Sequence, residues 1–383
     1  MIIPRKLLVL STIIFSTLIF LSFLIYIFFI LFSLGELKTV EYVINKQLKN
    51  NSCIYGTQTY ENFKRYKILL NNKINPDIAV IGSSRVMQIR KNMFDQSKTF
   101  VNLGGAVGHI NDFEILRKVL DYNDLEYLLI GIDPWFFTEN WAPKTSILED
   151  EIKFNDFDIK RSIFSNFLNF ENQNNKQRNT NLSKFYINAF NDIRAMDWSR
   201  VSESHFFRSF SLFYKGKLNK SMNNKFKLKC AYGISANLQE GFLSDGSRLQ
   251  RNNFHIDNSK RFQEVLNRIE NGEQRFNHND EINEIAYRIF FEYINFIKSK
   301  NINIIIFFSP YPKKILERLE NNNFNYINKL KKKLTKDNIY FYDFMDTDKY
   351  QFDDCYFMDG DHPSSLTNLR MLKYIGLDNK NFK

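Results

Sequence analysis

Cysteine is scarce in this 383-residue chain, and Cys53, Cys230 and Cys355 lie far apart with no metal-ligand spacing. A disulfide-built scaffold is therefore excluded. Two of the three can pair outside the cytoplasm and leave one over, so the fold must rest on its hydrophobic core. Glycine (14) and proline (7) are few beside 39 phenylalanines, a bias that base composition explains as readily as function. The net charge of +11 is spread along the chain, with Lys and Arg interleaved among Asp and Glu. No nucleic-acid motif or aromatic platform accompanies it, so no nucleic-acid partner is expected and an anionic lipid or glycan suits the charge better. There is no internal repeat. With 44% apolar and 25% charged residues, the composition is globular rather than disordered.

The start of the chain holds the one long apolar run. Leu7 through Leu34 carries no charge and, as a helix, is about 42 Å long against a bilayer core of about 30 Å. It is expected to span with some tilt. A removable leader has a shorter apolar region, so an anchor is expected, although Ser33-Leu34-Gly35 resembles a weak cleavage site. Arg5 and Lys6 before the span favour a cytoplasmic amino terminus and an extracytoplasmic remainder. Lys38, Lys46 and Lys49 on the far side weigh against that orientation.

After a connector over residues 36–74, strand-like and helical segments alternate. Apolar runs at Asp77–Gly82, Thr99–Leu103 and Leu125–Ile132 read as buried parallel strands, with a helical stripe from Asn111 between the last two. A helix is also expected to restart after Gly82. The pattern resumes with a helix over Asp280–Lys300, strands at Asn303–Ser309 and Ile339–Phe344, and helices after Pro312 and Pro363. The reading is an α/β domain with about five parallel strands, formed by residues 75–135 and 280–383. Residues 136–279 show no strand alternation and read as a long, mostly helical insertion over the carboxyl ends of the strands. Residues 1–35 form the cytoplasmic stub and transmembrane helix.

Four features fall at strand ends or in the loops after them, so a parallel sheet brings them to one rim. They are Gly82-Ser83-Ser84-Arg85, "NLGGAVGH" (Asn102–His109), "GIDPWFF" (from Gly131) and "DGDHP" (Asp359–Pro363). A serine hydroxyl needs a base, and His362 is the histidine set in a motif that can serve. Asp359, or Asp361, is placed to hold its imidazole, the three-residue offset favouring Asp359. The glycine loop can bring backbone N–H groups to an oxyanion. Together these compose an acyl-transfer site, for which no cofactor is expected.

Gly-x-Ser, an Asn-x-Gly loop and Asp-x-x-His in this order resemble the SGNH (GDSL-type) hydrolase superfamily. The resemblance covers about residues 75–140 and 280–376. It implies a three-layer α/β/α sandwich with a flavodoxin-like sheet, Ser84 as nucleophile, His362 as base and Asp359 as its orienting acid. Ser83 stands where the superfamily usually has Asp. Gly108, or alternatively Gly105, matches the oxyanion glycine. The third block departs: Gly131-Ile132-Asp133-Pro134 replaces Gly-x-Asn-Asp, and an ionised Asp133 cannot donate to an oxyanion. Asp133 is then protonated, replaced by a backbone donor, or in contact with the acceptor.

The anchor and the changed third block are more similar to the SGNH-like acyltransferase branch, which includes alginate O-acetyltransferases and the D-alanyl transfer protein of lipoteichoic acid. That resemblance implies a polysaccharide acceptor and a membrane-bound O-acyltransferase partner. Two alternatives stay open, a secreted esterase that deacylates glycans or lipids and a non-catalytic scaffold.

Other residues carry weaker signals. Arg85 is placed for an anionic substrate group or a surface salt bridge, and His109 for the site or a solvated turn. Trp135, Phe136, Phe137 and Trp141 suit core, lid or a platform for sugar rings. His205, His255 and His278 lack metal-type spacing. "FDDCYFMDGDH" is acidic enough for calcium but misses the EF-hand spacing, so no metal is expected. "SDGSR" (Ser244–Arg248) reads as a turn.

Overall fold

The computed structural model describes residues 5–58, 63–139, 141, 203–225, 227–228, 230–250, 258–276, 281–321, 324, 326–350, 352 and 357–377. Most of the expected insertion, and with it His255 and His278, lies outside the described residues, as does Cys355. The chain forms two compact units: Met1–Asn62 with Asn179–Ser244 and Leu249–Arg251, and Phe63–Arg178 with Asp245–Arg248 and Asn252–Lys383.

The second unit is built on five parallel strands, β1 (Ile78–Gly82), β2 (Phe100–Gly104), β3 (Tyr127–Ile132), β4 (Asn303–Phe308) and β5 (Phe341–Asp343), ordered β2-β1-β3-β4-β5. In register, Val80 faces Asn102 on one side and Leu129 on the other, and Ile130 faces Ile306. Side chains alternate between faces. Ile78 and Val80 pack with Leu129, Phe307, Met371 and Leu372, while the intervening Ala79 and Ile81 are also buried. Burial on both faces explains why β1 and β3 are uninterrupted apolar runs.

Local capping sets the helices around this sheet. Asn283 accepts the Ala286 N–H at 2.8 Å and opens Glu284–Ser299, four residues later than expected. Its stripe, including Ala286, Phe290, Tyr293 and Ile297, is buried, and Phe113 of Asp112–Val119 meets Phe290 at 5.5 Å and Tyr293 at 4.9 Å. The last helix, Ser365–Ile375, starts on a Ser364 cap and stops at left-handed Gly376. The helix Tyr326–Lys336, buried through Ile327, Leu330 and Leu334, has no counterpart in the sequence reading.

No α-helix follows β1. The chain instead makes 3-10 turns at Ser84–Val86 and Lys91–Met93. The cause lies in β2, where the buried Asn102 amide donates to Val86 O (2.8 Å) and Ile89 O (2.7 Å), carbonyls an α-helix would use itself.

The first unit contains the helix Arg5–Ser33, whose Val9–Ser33 portion has mean hydropathy 2.7 and is long and apolar enough to cross a membrane. The two units cut across the expected connector and insertion. Phe63–Ile74 belongs to the second unit, while residues 179–244 join the anchor in the first. Strands also occur where none were expected: Ile54–Tyr55 pairs parallel with Ala231–Tyr232 and antiparallel with Gly241–Phe242. Two-residue strands are too short to show alternation. A Cys53–Cys230 disulfide and the buried Gln47, which donates to Cys53 O and Phe242 O, hold them together.

The Ser244–Arg248 stretch is more than a turn. Asn102 N–H of edge strand β2 donates to Asp245 O (2.7 Å), and Arg248 N–H donates to Met87 O (2.8 Å). Asp245 also accepts from the Lys91 N–H at 2.8 Å. The fully buried Lys67 ammonium donates to Asn102 O (2.8 Å) and Gly246 O.

Candidate active site

The turn after β1 is shaped by its own serines. Ser83 Oγ accepts the Arg85 N–H (3.2 Å) and caps the 3-10 turn, so Ser84 is its first residue. The Ser84 Oγ lies 2.8 Å from His362 Nε2. His362 comes from a tight loop closed by the Phe357–Pro363 bridge and by Met358 N–H donating to His362 O (2.9 Å).

Within that loop the choice between Asp359 and Asp361 is resolved by geometry. Asp359 carboxylate oxygens lie 2.9 and 3.0 Å from His362 Nδ1, and Oδ1 also accepts the N–H groups of Asp361 and His362, both at 2.8 Å. Burial pushes the Asp359 carboxyl up, but these bonds and the His362 ring outweigh it and hold it at about 2. For His362, burial pulls the pKa down, while the Asp359 bond and the charges of Asp361 and Asp359 pull harder and raise it. A carboxylate that stays charged favours Nδ1–H, which leaves the Nε2 lone pair facing Ser84. Such a chain can accept the serine proton and stabilise the imidazolium that results.

Beneath the serine lies a buried charge cluster that the sequence reading placed elsewhere. Arg85 is 1% exposed, so its guanidinium pairs inside the protein rather than at the surface. Its Nη1 donates to Asp133 Oδ1 (3.0 Å), Nε to Asp361 O (3.0 Å) and Nη2 to Ser309 O (3.1 Å), with the Tyr311 ring 3.8 Å from its guanidinium carbon. One planar fork thus ties the turn after β1 to the ends of β3 and β4 and to the His362 loop. Asp133 is 2% exposed and turns its carboxylate to Arg85. Burial, helped by the charge of Asp361, raises its carboxyl against the pull of Arg85 and the Ser83 hydroxyl, and the 3.0 Å bond to a permanent cation marks an ion pair. Asp361 turns to Arg275 (2.5 Å) and Arg85 (3.8 Å).

Neither expected oxyanion glycine directs its N–H toward Ser84. Gly105 N–H donates to Gly82 O (2.8 Å) and Ser83 O (2.9 Å), and Gly108 N–H donates to Asp112 Oδ2 (2.6 Å). Gly105 supports the turn instead: its φ is +84°, and a Cβ there would come 2.1 Å from Met87 Cε. The Ser84 N–H opens its 3-10 turn, a position where a helix offers no internal acceptor.

Trp135, Phe136 and Phe137 are buried, so they form core and no sugar platform. Trp141 stacks on His109 (4.8 Å) and donates its indole N–H to Gly108 O (2.8 Å), bracing that loop. Among the described residues no group of three His, Cys, Asp or Glu side chains is arranged to hold a metal. The sequence reading missed the structural roles of Asn102, Tyr311 and Arg275. For Arg85 a signal existed, because it is followed by Val86 and Met87 in a run that enters the core.

No family model, curated protein or solved structure matches the chain.

Proposed function

We propose that this protein is a membrane-anchored, extracytoplasmic O-acyltransferase of SGNH-like type, which transfers an acyl group, acetyl by expectation, to a cell-surface polysaccharide. The observation that carries the proposal is the Ser84–His362–Asp359 relay, continuous at 2.8 and 2.9 Å. The strand order 2-1-3-4-5 supports a flavodoxin-like sheet in an α/β/α sandwich, with ligands outside the carboxyl ends of the strands. The Cys53–Cys230 disulfide supports an oxidising compartment for everything after the anchor.

In the first step Ser84 Oγ bonds to the acyl carbonyl carbon while His362 Nε2 takes its proton. The Ser84 N–H faces the developing oxyanion. Collapse expels the donor's leaving group, which receives the proton from His362. In the second step a sugar hydroxyl attacks the acyl-serine, gives its proton to His362, and Ser84 recovers it. Arg85 acts as a positioning residue because it holds both the serine turn and the histidine loop. A membrane-bound O-acyltransferase partner would supply the acyl donor.

The test is intact-protein mass spectrometry after exposure to an activated acetyl ester, comparing wild type with Ser84→Ala and His362→Ala. We expect one acetyl adduct, mapped to Ser84, that neither variant forms. Its formation should rise with pH as His362 loses its proton, above the ordinary histidine range, since only the neutral ring accepts the serine proton. An adduct that decays faster with polysaccharide than in water supports transfer, whereas equal decay supports the esterase. An adduct indifferent to both substitutions overturns the proposal.

A further inference from the structure

The apolar helix is bare at its start and covered at its end. Every residue from Val9 to Ser22 is exposed, whereas Ile27, Ile30, Leu31 and Leu34 are buried at helical spacing against Leu212, Leu218 and Ile234. Phe23 lies 5.5 Å from the Phe210 ring and 5.1 Å from Phe213, and Tyr26 meets Phe213 at 6.4 Å. The covering residues belong mainly to a helical hairpin, Glu203–Tyr214 and Lys217–Lys225, joined at Lys215-Gly216.

Length then becomes decisive. The apolar stretch Leu7–Ser22, exposed from Val9 onward, is only about 24 Å long, short of a hydrocarbon core of about 30 Å. The core must reach roughly four residues further, to Tyr26. There Ile25 and Tyr26 are still 69% and 49% exposed, so lipid can reach them. The hairpin residues that touch Phe23 and Tyr26 therefore lie at the edge of the hydrocarbon.

The hairpin has the composition that this depth requires. Tyr214 is 92% exposed, and the exposed Lys215, Lys217 and Lys220 follow it. A tyrosine offers an apolar ring with a polar tip, and lysine stems lie in apolar surroundings while their ammonium groups reach phosphate.

We infer that the hairpin Glu203–Lys225 is a membrane-interface element. Phe210, Phe213 and Tyr214 enter the bilayer boundary at the level of Tyr26, and Lys215, Lys217 and Lys220 meet lipid phosphates. The inference rests on the reading of Arg5–Ser33 as a bilayer anchor, and it is independent of the acyl chemistry.

The test uses the full chain in vesicles of phosphatidylcholine and phosphatidylglycerol, in a Cys355→Ser background that leaves the Cys53–Cys230 disulfide intact. Ser16→Cys, Tyr214→Cys and Tyr340→Cys are each labelled with an environment-sensitive fluorophore and quenched by lipids carrying a nitroxide high or low on the acyl chain. Tyr340 is 76% exposed on the second unit and serves as the aqueous reference. We expect the label at 214 to lose roughly half its intensity to the shallow nitroxide and less to the deep one, as an interfacial depth of about 5–10 Å requires. The label at 16 should show the opposite preference. A label at 214 that behaves like the one at 340, while 16 is quenched, overturns the hairpin inference and leaves the anchor standing. Loss of quenching at 16 as well overturns the anchor reading and this inference together.

Discussion

The two units of this chain join segments distant in sequence by different means. In the membrane-proximal unit the partners are 177 residues apart and the strands two residues long, and closure depends on the Cys53–Cys230 bond plus a few buried polar contacts. Glu36, fully buried, accepts the Ile234 N–H at 2.7 Å, and Leu34 O accepts the Gly233 N–H at 2.9 Å. In the sheet unit five parallel strands supply the core, and the extra tie is an ion pair: Arg85 and Asp133, both nearly unexposed. The smaller unit adds a covalent link to its apolar cluster. A large one has stability enough to bury a charge, and here the buried charge lies directly under the reacting groups.

Removing that charge should break the comparison most severely. Arg85→Ala leaves Asp133 buried and unpaired and is expected to cost about 3–5 kcal/mol, read as a fall in denaturant midpoint. Arg85→Met with Asp133→Leu removes both charges and should recover most of that stability. The double variant should still fail to acylate Ser84, because Asp361 O and Ser309 O lose the donor that aligns their loops. Full acylation by the double variant would show that the ion pair serves the fold alone.

The contrast also explains what the sequence discloses. Parallel strands packed into a sheet leave apolar runs, so the five were legible from composition and spacing, and the loops after them drew attention to Ser84, Asp359 and His362, which the fold brings within hydrogen-bond distance. Arg85 and Lys67 were not legible as buried, because a charged residue reads as surface until its partners are known. Asp133 and Asp361 lie 48 and 276 residues from Arg85, and the lysine's acceptors are backbone carbonyls that any sequence could supply. In sequence Asn102 marks only the start of a glycine loop, yet its amide is what prevents a helix after β1. The small sheet escaped notice because two-residue strands have no period, and the cysteine pairing because three cysteines allow three choices.

An intermediate effect is expected in the other unit. Cys230→Ser should destabilise the membrane-proximal unit by about 2–4 kcal/mol, the usual scale for a disulfide that closes a long loop. Calorimetry in detergent would then show an early transition absent from the oxidised wild type. The transition of the sheet unit should stay in place, because no disulfide ties its described residues. A single transition that moves as a whole would mean that the two units unfold together.

The smallest effect separates two kinds of buried cation within the sheet unit. Arg85 faces carboxylates and keeps its charge at any ordinary pH, whereas Lys67 faces two carbonyls with Asp245 as its nearest anion. Burial therefore brings its pKa down from 10.5 to about 7, against the partial compensation of Asp245. Above that value the unfolded chain binds a proton that the folded chain does not. Stability from this group is accordingly full above the unfolded pKa and is lost as pH falls through about 7. Lys67→Met keeps the length of the side chain and removes the titration, so its stability relative to wild type should be greatest at pH 6 and decline toward pH 10. A difference that stays flat across that range would mean that Lys67 is charged throughout, solvated by its carbonyls as completely as Arg85 is neutralised by its carboxylates.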